Sequence, residues 1–226
     1  MKIGAVTVGQ APRKDVEEDI RAILPKEAEL IQRGALDHIT EEELKEIEPE
    51  EGDYILVSRL LDGRQVRFAE KKILPRIQRA IEELEKEQVS CILMFCTGKF
   101  PEEVCSKRLL LYPYDLLKAV APLLTKKKHL DIVVPSESQI PQSREHWQKY
   151  ADHVTVTAAS PYGLQEEIER AGKILAKTNG DLIILDCIGY SEKMKKRMEE
   201  ITGKSVLLPR TLLARIAAEY VGKRQN

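Results

Sequence analysis

Ile92-Leu93-Met94-Phe95-Cys96-Thr97-Gly98 is a run of β-forming apolar residues that ends in a cysteine and passes into a small turn. A second stretch, Ile183-Ile184-Leu185-Asp186-Cys187-Ile188-Gly189, superimposes on it at a constant offset of 91 residues. Short apolar runs closed by turn signals read as buried strands. In open α/β folds, ligands bind beyond the carboxyl ends of such strands. Two thiols at those ends, in matched halves of one chain, point to one site flanked by two acid/base groups.

The flanking sequence extends the match in both directions. In the first half a strand is expected at 2–8, then a loop and a helix from about Pro12 to Leu24, with proline in the first helical turn. Strands follow near 28–32 and 53–58. Leu61-Asp62-Gly63-Arg64 carries the Asp-Gly signature of a hairpin turn, with Gln65–Phe68 as the return strand. A helix is expected at about 71–87, since Ile73, Leu74, Ile77, Ile81 and Leu84 share one face. The second half offers a strand at 130–134, a helix near 141–150, a strand at 154–158 and a helix at 164–177. Beyond each cysteine comes a further matched pair, Leu110-Leu111-Tyr112-Pro113 against Leu207-Leu208-Pro209, with its prolines 96 residues apart.

Strands alternating with helices of this length predict an α/β fold with parallel sheets flanked by helices. The repetition predicts two Rossmann-like lobes related by a pseudo-twofold axis. The charged break Thr125-Lys126-Lys127-Lys128-His129 divides them into a first lobe at 1–125 and a second at 126–209. The C-terminal helix, about 210–226, is expected to pack back onto the first lobe.

Composition narrows the function classes. The 226 residues are 42% hydrophobic and 32% charged, which suits a globular core. A net charge of −1, from 36 basic and 37 acidic residues, predicts neither a nucleic-acid surface nor a membrane surface. No secretory leader is read in Met1–Val8, and no apolar run reaches the ~20 residues of a bilayer span. Four cysteines without export favour free thiols, so a soluble cytoplasmic protein is expected.

Cysteine at the end of a core strand is also an ordinary small buried residue; the matched placement of Cys96 and Cys187 is what favours chemistry. One thiolate can remove a proton while the other thiol delivers one from the opposite face. Gly98 and Gly189, each two residues on, permit tight turns whose N–H groups can hold a carboxylate. Gly9-Gln10-Ala11-Pro12-Arg13 lies between a strand and a helix N-terminus, where free N–H groups and the helix dipole favour an anion, with Gln10 and Arg13 adding side-chain contacts. Its glycine spacing is neither a dinucleotide fingerprint nor a P-loop. Arg59 stands at a strand end on the rim of Cys96, placed to fork onto a carboxylate. Ser136, with Gln139 and Ser160, is placed to line the rim of the second lobe, although each is also an ordinary turn or cap residue. No metal site is expected: Cys91 and Cys96 point to opposite faces of their strand, and His38, His129, His146 and His153 form no ligand cluster. Asp186 is expected to bond backbone or a basic side chain, and Trp147 to pack a helix.

The segments Thr7-Val8-Gly9-Gln10-Ala11-Pro12-Arg13, Val57-Ser58-Arg59-Leu60, Cys96-Thr97-Gly98 and Leu185-Asp186-Cys187-Ile188-Gly189-Tyr190 resemble the AroM family over essentially the whole chain. That family is similar to the aspartate/glutamate/hydantoin racemase superfamily. The resemblance implies two Rossmann-like lobes, an active site between them, and proton transfer by two cysteines with no cofactor. It places Cys96 as the first-lobe catalytic cysteine and Cys187 as the second. Where amino-acid racemases of the superfamily follow these cysteines with Asn-Thr and Thr-Glu, this chain has Thr97-Gly98 and Ile188-Gly189, which sets it apart from them.

Two readings stay open. One is an isomerase, racemase or lyase acting on a small carboxylate in an interlobe cleft. There Cys96 and Cys187 are the acid/base pair, and Gly9, Gln10, Arg13, Arg59, Thr97, Gly98, Ser136 and Gly189 hold the anion. The other is a non-catalytic carboxylate-binding or sensor protein on the same fold. Under either, the partner is a small molecule rather than nucleic acid or membrane, and a homodimer is left open.

Overall fold

Four parallel strands make the first sheet: β1 (Lys2–Thr7), β2 (Glu29–Gly34), β5 (Cys91–Phe95) and β6 (Leu109–Leu111), in the order β2-β1-β5-β6. The second sheet, from β7 (His129–Val134), β8 (His153–Ala158), β9 (Leu182–Leu185) and β10 (Ser205–Leu207), repeats the order as β8-β7-β9-β10, again all parallel. The two halves are therefore the same topological unit, and the Cys96 and Cys187 strands are equivalent interior strands. The first half carries an insertion: a six-residue helix α2 (Glu41–Glu46) and the antiparallel hairpin β3 (Ile55–Arg59) and β4 (Gln65–Ala69). The computed structural model describes residues 1–222. They divide into two compact units, Met1–Pro113 with the segment from Leu213, and Tyr114–Leu212. Residues 223–226, to which the expected closing helix extended, lie outside the described residues.

In the first unit, helix α3 (Glu70–Lys86) covers one face of its sheet. Ile73, Ile77, Ala80, Ile81 and Leu84 recur at helical spacing and are all buried. They meet Val6, Val8, Ile92, Met94 and Cys96, residues of one strand parity, in a single cluster. Cys91, Leu93 and Phe95 are buried outside that cluster, so Cys91 and Cys96 do face opposite ways. Helix α1 spans Lys14–Arg21 rather than starting at Pro12. The Ala11-Pro12 peptide is cis, and the proline belongs to the loop.

The second unit packs both faces of its sheet. Val133, Ile183, Leu185 and Cys187 join helices α6 (Gln165–Leu175) and α7 (Glu192–Thr202) on one side. Ile132, Val134, Leu182 and Ile184 join α4 (Pro113–Leu124) and α5 (Ile140–Trp147) on the other. Prolines 113 and 209 each open a helix just after an edge strand, α4 after β6 and α8 (Pro209–Gly222) after β10. That placement suits proline, whose missing N–H would be unpaired in the first turn. No helix among the described residues is long and apolar enough to cross a membrane.

Candidate active site

Within each sheet the chain reverses its direction of travel between two neighbouring strands, β1 and β5 in one unit and β7 and β9 in the other. Loops diverge at such a point and leave a crevice at the carboxyl ends. The loops leaving those ends are Val8–Arg13 and Cys96–Gly98 in the first unit, and Pro135–Ser136 and Asp186–Gly189 in the second. Topology therefore carries the candidate residues Gly9, Gln10, Arg13, Cys96, Thr97 and Gly98 to the carboxyl ends of the first sheet, and Ser136, Cys187 and Gly189 to those of the second.

The two cysteines have the same local geometry. Cys96 Sγ accepts a hydrogen bond from the Gly98 N–H at 3.3 Å, and Cys187 Sγ accepts one from the Gly189 N–H at 3.4 Å. An amide donor aimed at sulfur favours the thiolate over the thiol. Each thiol keeps a small exposure, 8% for Cys96 and 6% for Cys187. Neighbouring side chains crowd both glycines: a Cβ at Gly98 would sit 2.5 Å from Leu56 Cδ2, and one at Gly189 2.5 Å from the Tyr162 hydroxyl and 2.7 Å from its Cζ. Tyr190, one residue on, is fully buried and donates to the Ala159 carbonyl at 2.6 Å. Burial pushes its phenol well above the usual range, and the neighbouring Cys187 and Asp186 charges act in the same direction.

In the first unit, Gln10, Arg13 and Arg59 line a single pocket of about 430 Å³ with Lys14, Asp15 and Leu61. Gly9 closes on the same strand end, because a Cβ there would collide with Ser58 Oγ. The expectation of open N–H groups in this loop is corrected. Those of Gly9, Ala11 and Arg13 are taken by Thr7 Oγ1 (3.3 Å), Asp37 Oδ1 (2.8 Å) and Gln32 Oε1 (2.8 Å). The loop offers side chains instead. Arg13 is itself buried and forks onto Asp15 at 2.9 and 2.7 Å, while Gln10 accepts from the Leu61 N–H at 2.8 Å. Arg59 Nε donates to the Gly63 carbonyl at 3.2 Å, and its two Nη groups have no hydrogen-bond partner among the described residues. Thr97 is half-buried beside Cys96, and Ser136 shares a hydroxyl bond with Ser138 at 2.8 Å.

Two further groups hold the Cys187 turn. Asp186 accepts from the Trp147 indole N–H at 2.9 Å, so Trp147 does more than pack a helix. Arg210, fully buried, donates from Nε to the Ile188 carbonyl at 2.9 Å. The signal for Arg210 was its charge in the otherwise uncharged run Ser205–Leu213. Among the described residues, no group of three or more His, Cys, Asp or Glu side chains is placed to hold a metal ion.

The arrangement defines a class: two repeated parallel α/β units, each ending an interior strand in an amide-bonded cysteine. Solved structures share the fold. An allantoin racemase from Klebsiella pneumoniae superposes with a TM-score of 0.65 at 12% identity, over 99% of this chain and 88% of that one. A glutamate racemase from Francisella tularensis subsp. tularensis SCHU S4, in complex with D-glutamate, gives 0.64 at 11%, over 99% and 82%. An arylmalonate decarboxylase gives 0.63 at 12%, over 100% and 94%. No curated protein matches at the level of sequence. The family model described as AroM protein matches residues 3–221, and the chain belongs to the AroM family. It shares the fold of those two racemases and that decarboxylase.

Proposed function

We propose that this protein is an isomerase or racemase acting on a small carboxylate, with Cys96 and Cys187 as its acid/base pair. A lyase that protonates the carbanion left by decarboxylation is the same chemistry with one thiol. The observation that carries the reading is the repeated N–H···S bond: equivalent strand ends present equivalent sulfurs, each with an amide favouring its charged form. One cysteine as thiolate removes the proton next to the carboxylate, and the other as thiol returns a proton to the opposite face. Arg59 and Gln10, with Gly9 and Arg13 shaping their pocket, receive the carboxylate, and guanidinium is the group best suited to that fork. Thr97, Gly98, Ser136 and Gly189 complete the rims. Neighbours that share the fold include racemases and a decarboxylase, which supports this reaction class.

The test follows solvent deuterium into a panel of small carboxylates, using the native protein and the Cys96→Ser and Cys187→Ser variants. Incorporation by the native protein that each replacement lowers by at least about 100-fold, the usual contribution of a general acid or base, is the expected result. Exchange that survives both replacements overturns the assignment. Ligand-dependent thermal stabilisation with no exchange by any carboxylate overturns catalysis and leaves a binding protein.

A further inference from the structure

The peptide joining Ile188 to Gly189 is bonded at both ends. Its N–H donates to Cys187 Sγ at 3.4 Å, and its carbonyl oxygen accepts from Arg210 Nε at 2.9 Å. Arg210 is fully buried and is the second residue of α8, at the helix end that carries partial positive charge. A buried guanidinium at a helix amino terminus opposes both desolvation and the dipole. Residues that break local placement rules in this way mark functional positions. A charged donor on a carbonyl oxygen polarises the peptide and strengthens its N–H as a donor. The equivalent peptide of the first unit, Thr97–Gly98, donates to Cys96 Sγ at 3.3 Å, but no hydrogen bond reaches the Thr97 carbonyl among the described residues. The residue after the matching proline is the neutral Tyr114.

We propose that Arg210 is a positioning residue that acts through the Ile188–Gly189 peptide to favour the thiolate at Cys187 over that at Cys96. This rests on the proton-transfer reading for its catalytic consequence alone: Cys187 is then the resting base and Cys96 the resting acid. Four other titratable groups near Cys187 in the same unit act against that bias or carry no positive charge. The Asp186 carboxylate is engaged by the Trp147 indole, and Glu167 of α6 accepts from the Ser160 N–H at 2.9 Å. Both are anions and oppose a thiolate. Tyr190 is a buried neutral phenol, and Tyr162 lies against Gly189. Helix α7 presents Met194 and Met198 to the same cluster. Arg210 puts a cation on the turn, through its bond to the Ile188 carbonyl.

The experiment is site-resolved alkylation of the full-length protein by iodoacetamide as a function of pH. The midpoint of each profile reports the thiolate and is independent of how accessible the sulfur is. In the native protein the Cys187 midpoint is expected below that of Cys96; the reverse order overturns the proposal without any variant. Arg210→Met is expected to raise the Cys187 midpoint and slow its alkylation at pH 7 by about tenfold, leaving the Cys96 midpoint in place. Arg210→Lys, which keeps the charge, is expected to fall between native and Met. A folded Arg210→Met protein with an unmoved Cys187 profile, or a Lys variant shifted as far as Met, overturns it. Because the readout is a thiol profile, its failure is separable from a failure to find deuterium exchange.

Discussion

The N–H of Gly98 donates to the Sγ of Cys96 across 3.3 Å, and 91 residues further on Gly189 repeats the bond to Cys187 across 3.4 Å. The two units repeat a donor–sulfur pair, not merely a cysteine at a strand end. Each glycine is also pinned by a bulky neighbour, Leu56 in one unit and Tyr162 in the other. The turn, its packing and its chemistry are therefore set together.

Alanine at either glycine is expected to destabilise, by about 1–3 kcal/mol for overpacking of this kind. The two sites should differ. Leu56 presents the flexible end of its side chain to Gly98, whereas the Tyr162 ring and Pro161 Cγ (2.9 Å) face Gly189 and have little room to yield. Urea denaturation should therefore show the larger loss for Gly189→Ala; equal losses would argue against that packing difference.

Trp147→Phe keeps a buried ring but removes the indole donor from Asp186. Loss of that bond is expected to cost about 1–3 kcal/mol, since a charged acceptor is left with one partner fewer. A double-mutant cycle with Asp186→Ala should show coupling between the two positions, and additive losses would contradict the bond's contribution.

Asp131 is fully buried and bonds Lys204 Nζ at 2.8 Å and Thr178 Oγ1 at 2.5 Å. Lys204 also donates to the Leu175 and Thr178 carbonyls at 2.6 and 3.0 Å. Lys204→Met strands a buried carboxylate and is expected to cost about 3–5 kcal/mol. Adding Asp131→Asn to that variant should recover part of the loss in denaturant titrations. No recovery would mean that the lysine acts through its carbonyl contacts alone.

Asp181 ties the end of α4 to the following loop, accepting from Thr125 Oγ1 at 2.6 Å and the Lys126 and Lys127 N–H groups at 2.8 and 3.2 Å. Partial burial pushes its carboxyl up, but these donors outweigh it and hold the group below the usual carboxylate range. A carboxyl depressed in the folded state adds stability above its unfolded titration and loses it as pH falls through the folded one. The melting-temperature gap between native and Asp181→Asn protein should thus be full at pH 7 and close below about pH 4. A gap that persists in acid would contradict this origin.

Much of the fold was legible because buried parallel strands leave apolar runs and amphipathic helices leave a 3.6-residue stripe. Ile92–Phe95 and Ile73–Leu84 show both patterns. The 91-residue offset between the two cysteine segments made the likeness of the halves legible. The α2 helix carried a local signal too, since Thr40 and Glu43 form a capping box. Other features lie in no local pattern. The loop N–H groups are claimed by Asp37 and Gln32, residues brought in from β2 and the turn after it. Arg210 meets Ile188 from 22 residues away, and Trp147 meets Asp186 from 39. Such contacts are products of tertiary packing, which is why single-residue chemistry was readable and its bonding partners were not.

If Cys96 and Cys187 serve the same substrate carbon, one small carboxylate must shield both. Site-resolved iodoacetamide alkylation, titrated with a carboxylate that takes up solvent deuterium, is expected to show both thiols protected with one shared half-saturating concentration. Protection of one thiol while the other stays fully reactive throughout the titration would contradict a two-cysteine site.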